Sequence, residues 1–139
     1  MQAVSPDGAQ IAYLKSERNS SSVALEVRPA AGGPGREVVR LSPWTGTSIY
    51  ASVAWTPDGR SLLFKRATKG DSDTTLYRVP VEGGAPEKLI SVAGNYRLNY
   101  PQVSPDGRRL AVSTWDGSAL GEIWTLENFL PAEMHQKRP

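Results

Sequence analysis

Three observations predict that this chain of 139 residues is all-β, a partial β-propeller of three four-stranded antiparallel blades with the last lacking its outer strand. A Ser/Thr-Pro-Asp-Gly turn occurs three times, starting at positions 5, 56 and 104. Each copy is followed, after two residues, by an apolar run: Ile11 to Leu14, Leu62 to Phe64, and Leu110 to Val112. Short strand-like segments punctuated by Gly and Pro fill each repeat, with no long amphipathic helical pattern between them. A four-strand unit repeating at about 40–50 residues marks propeller blades, which bury their faces by stacking on one another.

The turn itself has a physical reading. Pro6, Pro57 and Pro105 preset φ for the first corner of a type I turn, and Asp7, Asp58 and Asp106 suit the second. Gly8, Gly59 and Gly107 then take the left-handed conformation that closes a hairpin through a G1 bulge. The hydroxyl of Ser5, Thr56 or Ser104 is placed to bond the local backbone. Three aspartates in register could also be read as ligands or acids. The turn requires each of them where it stands, so the structural reading prevails.

The elements follow in order. The first unit, about residues 1–41, has strand a as a stub from Gln2 to Val4 and strand b from Ile11 to Lys15. A polar loop leads to strand c, Ala24 to Arg28, and Gly32-Gly33-Pro34-Gly35 turns the chain into strand d, Glu37 to Leu41. The second unit, about 51–90, repeats this as Ala51 to Trp55, Ser61 to Arg66, Thr75 to Pro80 and Glu87 to Ile90, with Gly83-Gly84 in the equivalent c–d turn. The third, about 100–130, has strand a at Gln102-Val103, b from Arg109 to Thr114, a turn at Asp116-Gly117, and c from Glu122 to Leu126. No strand d follows; residues 131–139 read as a disordered polar tail.

Strands b and c are near-continuous apolar runs, as expected of strands covered on both faces. Strand d is more polar and fits an outer edge. Trp55, Tyr77 and Trp124 fall at core positions.

Composition excludes several function classes. Sixteen basic and 14 acidic residues give a net charge of +2 without a basic stripe, which argues against nucleic acid as a partner. The absence of cysteine excludes disulfides and thiolate metal sites. No segment has the length of a transmembrane helix, so direct helical insertion into a membrane is not expected.

A nucleophilic serine would sit in Gly-x-Ser-x-Gly, which the chain lacks. The single histidine, His135, lies in the polar tail. Asp71 and Asp73 lack the length and ligand count of a calcium loop. No phosphate-cradling glycine loop precedes a helix. The expectation is a chain without catalytic residues, metal or cofactor.

Two stretches resemble a known family. Ser-Pro-Asp-Gly-Arg-Arg-Leu-Ala-Val-Ser at 104–113 resembles the repeat of TolB-like β-propellers. So does Leu76-Tyr77-Arg78-Val79-Pro80-Val81-Glu82-Gly83-Gly84 with Glu87-Lys88-Leu89-Ile90. The resemblance spans roughly residues 1–130, and the segment from Glu122 to Pro131 is similar to the closing segment of bacterial members.

The family uses six or more blades, so the resemblance implies that this chain is the C-terminal part of a larger propeller with further blades upstream. The alternative is a ring of two copies. A bacterial envelope setting, periplasmic or otherwise extracytoplasmic, is also what the resemblance implies.

Function is then expected on the surface. In propeller geometry the d–a and b–c connections emerge on one face, opposite the Pro-Asp-Gly turns. The d–a connections, 42–50 and 94–100, carry Trp44, Tyr50, Tyr96, Arg97, Asn99 and Tyr100, and Trp115 begins a b–c loop on the same face. Trp, Tyr and Arg combine area with hydrogen bonding and are enriched in recognition patches. The same aromatics could instead plug the joints between blades.

The first expectation is a non-enzymatic scaffold that binds a protein partner or a small ligand through this face. The second is a substrate-gating propeller of a prolyl-oligopeptidase-like serine peptidase, with the hydrolase domain outside this chain.

Overall fold

The computed structural model describes residues 2–16, 21–42, 52–67, 74–92, 97–115 and 121–129. The first sheet contains β1 (Gln2–Val4), β2 (Gln10–Ser16), β3 (Val23–Pro29) and β4 (Arg36–Leu41). The second contains β5 (Val53–Trp55), β6 (Ser61–Ala67), β7 (Thr74–Pro80) and β8 (Glu87–Val92). The third contains β9 (Arg97–Val103), β10 (Arg109–Trp115) and β11 (Gly121–Glu127).

Within each sheet, strands adjacent in sequence are adjacent in space: β1-β2-β3-β4, β5-β6-β7-β8 and β9-β10-β11. Every pairing is antiparallel. These are three blades in a row, and the innermost strands β1, β5 and β9 lie against one another in that order. Among the described residues the sheets stay open.

The repeated turn is built as its residue types require. Gly8, Gly59 and Gly107 have φ of 74°, 69° and 72°. In the second copy Gly59 N donates to Thr56 O at 2.9 Å, and Thr56 N donates to Ser61 O at 3.0 Å. Thr56 Oγ1 donates to Asp58 Oδ1 at 2.6 Å and accepts from Ser61 N at 3.0 Å. Asp58 Oδ1 also accepts from Arg60 N at 3.0 Å.

The hydroxyl and carboxylate thus satisfy backbone donors that the bulge takes out of the ladder. Gly59→Ala should cost about 1–2 kcal/mol through the left-handed φ alone. The cost is readable as a fall in thermal midpoint; an unchanged midpoint would contradict it.

Alternation on the middle strands decides what fills each seam. On β6, Leu62 and Phe64 face the first blade and Leu63 faces the third. The first seam buries Ala12, Leu25, Val27, Val38 and Leu41 against Val53, Trp55, Leu62, Phe64 and Val79. The second buries Leu63, Leu76 and Val92 against Leu110 and Val112. The central blade is therefore covered on both faces, which is why its b and c strands read as continuous apolar runs.

Polar ties cross the first seam too. Trp55 Nε1 donates to Ala3 O at 3.0 Å, and Arg36 Nη2 donates to Val81 O at 2.9 Å.

Several sequence expectations are corrected. Strand a of the third blade is longer than Gln102-Val103: β9 takes in residues 97–101, so Arg97, Asn99 and Tyr100 stand on a strand and not in a loop. Trp115 likewise ends β10. Strand a of the second blade is shorter than 51–55, beginning at Val53.

Trp124 is not in the core; it is 40% exposed. β11 has no further strand beside it among the described residues, so its outward half lacks a covering partner. Ile123 on the same strand is 78% exposed for the same reason. Trp55 is buried, and Tyr77 is partly buried with its ring 5.6 Å from that of Phe64. The proposed tail at 131–139 lies outside the described residues.

Candidate functional site

Strand direction separates the two ends of the blades. β2, β4, β6, β8 and β10 all finish at the end from which the b–c and d–a connections leave. The Pro-Asp-Gly and Gly-Gly turns occupy the other end.

At the turn end, the aspartates are engaged in their own loops. Asp7 Oδ1 accepts from Ser5 Oγ at 2.5 Å and from Ala9 N at 3.0 Å. Those bonds hold its carboxyl below the ordinary carboxylate range, the serine hydroxyl contributing most. The Ser104 hydroxyl does the same for Asp106, with Arg108 N second. Such carboxylates are occupied as acceptors and are poor candidates for acid chemistry.

At the connection end, the sequence-derived binding residues divide into two groups. Trp44, Tyr50 and Tyr96 lie outside the described residues. Arg97, Asn99, Tyr100 and Trp115 are placed by backbone: the first three at the start of β9, the last at the end of β10. The ladder brings Trp115 directly opposite Arg97 and also opposite Gly121. The end of the third blade thus collects two of the candidate residues on neighbouring strands.

The central blade adds polar groups at the same end that the sequence reading missed. Arg66 continues the Leu62–Phe64 side of β6, placing a guanidinium at the mouth of the seam between the first and second blades. Its Nη2 donates to Ser42 O at 3.4 Å, and its Nε is buried with no acceptor among the described residues. Opposite Arg66 in the ladder stands Thr75, whose hydroxyl is 2.5 Å from that of Ser91.

Toward the other seam, Ser52 and Thr114 are 4% and 1% exposed, and neither hydroxyl has a partner among the described residues. The signal for Arg66 was present in the sequence as an apolar-x-apolar-x-Arg alternation. Orphan hydroxyls carry no such mark, because they depend on what the neighbouring sheet supplies.

A separate polar cluster lies on the first blade. Glu26 is 7% exposed, accepts from Tyr13 Oη at 2.6 Å and pairs with Lys15 Nζ at 3.1 Å. The tyrosine hydroxyl, and then Lys15, hold the Glu26 carboxyl below its ordinary range, while the same bond raises the Tyr13 phenol. Ile11, Tyr13 and Lys15 alternate with Ala12 and Leu14, which pack toward the second blade, so this cluster lies on the opposite face.

Among the described residues, no group of three or more His, Cys, Asp or Glu could hold a metal ion, and no helix is long and apolar enough to cross a membrane.

The molecule was compared with known proteins. No protein-family model matches the chain. A Bacillus subtilis (strain 168) protein named "Uncharacterized peptidase YuxL" is 31% identical over 137 residues, covering 96% of this chain and 19% of its own length. The structure of a TolB protein from Agrobacterium tumefaciens superposes with a TM-score of 0.66 at 24% identity, covering 91% of this chain and 41% of that one. Prolyl oligopeptidase B from Galerina marginata superposes with a TM-score of 0.68 at 19% identity, covering 91% of this chain and 20% of that one.

The two structural likenesses show the propeller fold. The chain spans about a fifth of the length of the peptidases it matches. The expectation of a protein apart from enzymes is corrected by these findings. The similar sequence is named a peptidase and the similar structures include a prolyl oligopeptidase, of which this chain matches only the propeller portion.

Proposed function

We propose that this chain is propeller blades of a prolyl-oligopeptidase-like serine peptidase, and that its connection-end face meets peptides on their way to a hydrolase centre carried outside the chain. The observation that carries this reading is the 31% identity to the Bacillus peptidase across 96% of the chain. The sequence supports the division of labour: it holds one histidine, His135, and no Gly-x-Ser-x-Gly elbow. The blades would act by shape. A stack of rigid sheets, joined by the two buried seams, admits an extended peptide and excludes a folded protein.

The test takes the complete product of the reading frame that contains this sequence. It should hydrolyse succinyl-Gly-Pro-p-nitroanilide, react with a fluorophosphonate probe, and leave folded casein-free substrates such as native lysozyme intact. A folded product that neither hydrolyses the anilide nor takes the probe would end this reading.

A second reading has its own support. The TolB likeness covers 41% of that chain, about twice the share of the peptidases. On this reading the propeller itself recognises a protein partner or small ligand in an extracytoplasmic compartment, through Trp44, Tyr50, Tyr96, Arg97, Asn99, Tyr100 and Trp115. Alanine substitution of the aromatics should then lower affinity for a captured partner without lowering anilide hydrolysis.

A further inference from the structure

Cations and carboxylates both stand near the strand ends at the connection end of the described blades: Lys15, Arg40, Lys65 and Arg66, with Glu26 paired to Lys15, Glu37 paired to Arg40, and Glu122 on β11. Of these cations, Arg66 is set most deliberately. Strand alternation carries the side chain out of an apolar seam whose preceding members, Leu62 and Phe64, are 0% and 1% exposed.

The backbone register fixes Thr75 beside it, and the Thr75–Ser91 hydroxyl pair is occupied internally. Ser42 O is its one hydrogen-bond partner among the described residues, at 3.4 Å, beyond the usual N–H···O range. Nε has no acceptor among the described residues. A guanidinium offers five donors in a planar fork matched to a carboxylate, and here the described residues supply only the long contact to Ser42 O.

We propose that Arg66 is a carboxylate-reading residue at the mouth of the seam between the first two blades, where it takes the carboxylate of a peptide. The choice of a peptide as carrier rests on the peptidase reading above; the carboxylate chemistry rests on Arg66 itself. Guanidinium Nη1 and Nη2 close on the two carboxylate oxygens end-on, Nη2 giving up its long contact with Ser42 O. As a contact between opposite charges, the capture is salt-dependent. The carboxylate is either a C-terminal α-carboxylate or an Asp/Glu side chain.

The experiment is a fluorescence-polarisation titration of the protein without turnover, using three probes. They are fluorescein-Gly-Ala-Ala-Ala-Ala with a free C-terminus, the same peptide as its C-terminal amide, and an amidated version with one internal Glu. The free acid is expected to bind about tenfold more tightly than the amide, in line with a charge-assisted fork. Equal rescue by the internal Glu assigns the site to any carboxylate; no rescue assigns it to the chain terminus.

Arg66→Gln should bring the acid-to-amide ratio close to one, and Arg66→Lys, which keeps the charge but not the fork, should leave an intermediate ratio. Should Arg66→Gln fail to fold, Arg66→Lys carries the test. A wild-type ratio of one, no binding of any probe, or a ratio unmoved by substitution would overturn the proposal. Because the readout is binding, a protein that discriminates acid from amide yet hydrolyses nothing keeps this site and loses only the peptidase reading.

Discussion

Replacing Phe64 with alanine is expected to destabilise the protein by about 3–5 kcal/mol, the range for deleting a fully buried aromatic ring. Phe64 is 1% exposed, lies at the centre of the first seam, and stacks on Tyr77 with an interplanar angle of 16°. Its loss opens a cavity that two rigid sheets cannot close by collapsing, because each is held by its own ladder.

A fall of this size is a large share of the 5–15 kcal/mol typical of a folded domain. The first blade should therefore separate from the second before the ladders melt. Urea unfolding followed by tryptophan fluorescence reads it directly, since Trp55 lies in the same seam. Phe64→Leu, which keeps most of the volume, should cost well under half as much. A loss under about 1 kcal/mol for the alanine variant would mean that the seam does not hold the blades together.

The second large effect concerns Glu26. Removing its carboxylate by Glu26→Ala leaves the Tyr13 hydroxyl and the Lys15 ammonium without their shared acceptor. Charge-assisted bonds of this kind contribute about 1.5–3 kcal/mol when desolvated. The cluster lies on the face of the first blade turned away from the second, so the lower end of that range applies.

The pH dependence has a definite sign. The folded-state pKa of Glu26 is depressed below the ordinary carboxyl value of 4.5. Its contribution is fully present above that unfolded value and is lost as pH falls through the folded one. Tyr13 is shifted the other way, upward from 10.0, so its contribution is complete below 10.0 and lost as pH rises through the folded value.

Glu26→Gln should flatten the acid limb of the stability profile while leaving the fold intact. Gly35 provides an independent check. A Cβ there would meet the Tyr13 hydroxyl, with Glu26 Oε2 at 2.7 Å, so Gly35→Ala should destabilise by about 1–3 kcal/mol through crowding. An acid limb unchanged in Glu26→Gln would remove Glu26 from the account of acid unfolding.

Much of the architecture is legible in single residues. Pro57-Asp58-Gly59 specifies its turn because every bond that makes it lies between positions 56 and 61. The Gly83-Gly84 pair, with φ of 101° and 123°, marks the c–d turn for the same local reason. Strand order follows, because each turn joins neighbours.

Candidate function was less legible. Trp44, Tyr50 and Tyr96 were chosen by residue type and lie outside the described residues. Arg97 and Tyr100 were read as loop and stand on β9. The Pro at 101 masks the continuity of that strand to a propensity argument. Arg66 ends strand b of the second unit, and residue type alone does not distinguish it from other charged residues on strands.

The turns, the blade repeats and the strand pairing are written locally, since they depend on bonds a few residues apart and on a period-two pattern. Which side of each strand is covered depends instead on how the sheets pack. The same alternation buries Phe64 at 1% and leaves Ile123 at 78%, because a second sheet lies against one and none of the described residues covers the other. The burial of Phe64 and the setting of Arg66 at the seam mouth follow from that neighbour, and a neighbour some fifty residues away leaves no local signal; the Glu26 carboxyl is shifted instead by Tyr13 and Lys15 of its own sheet.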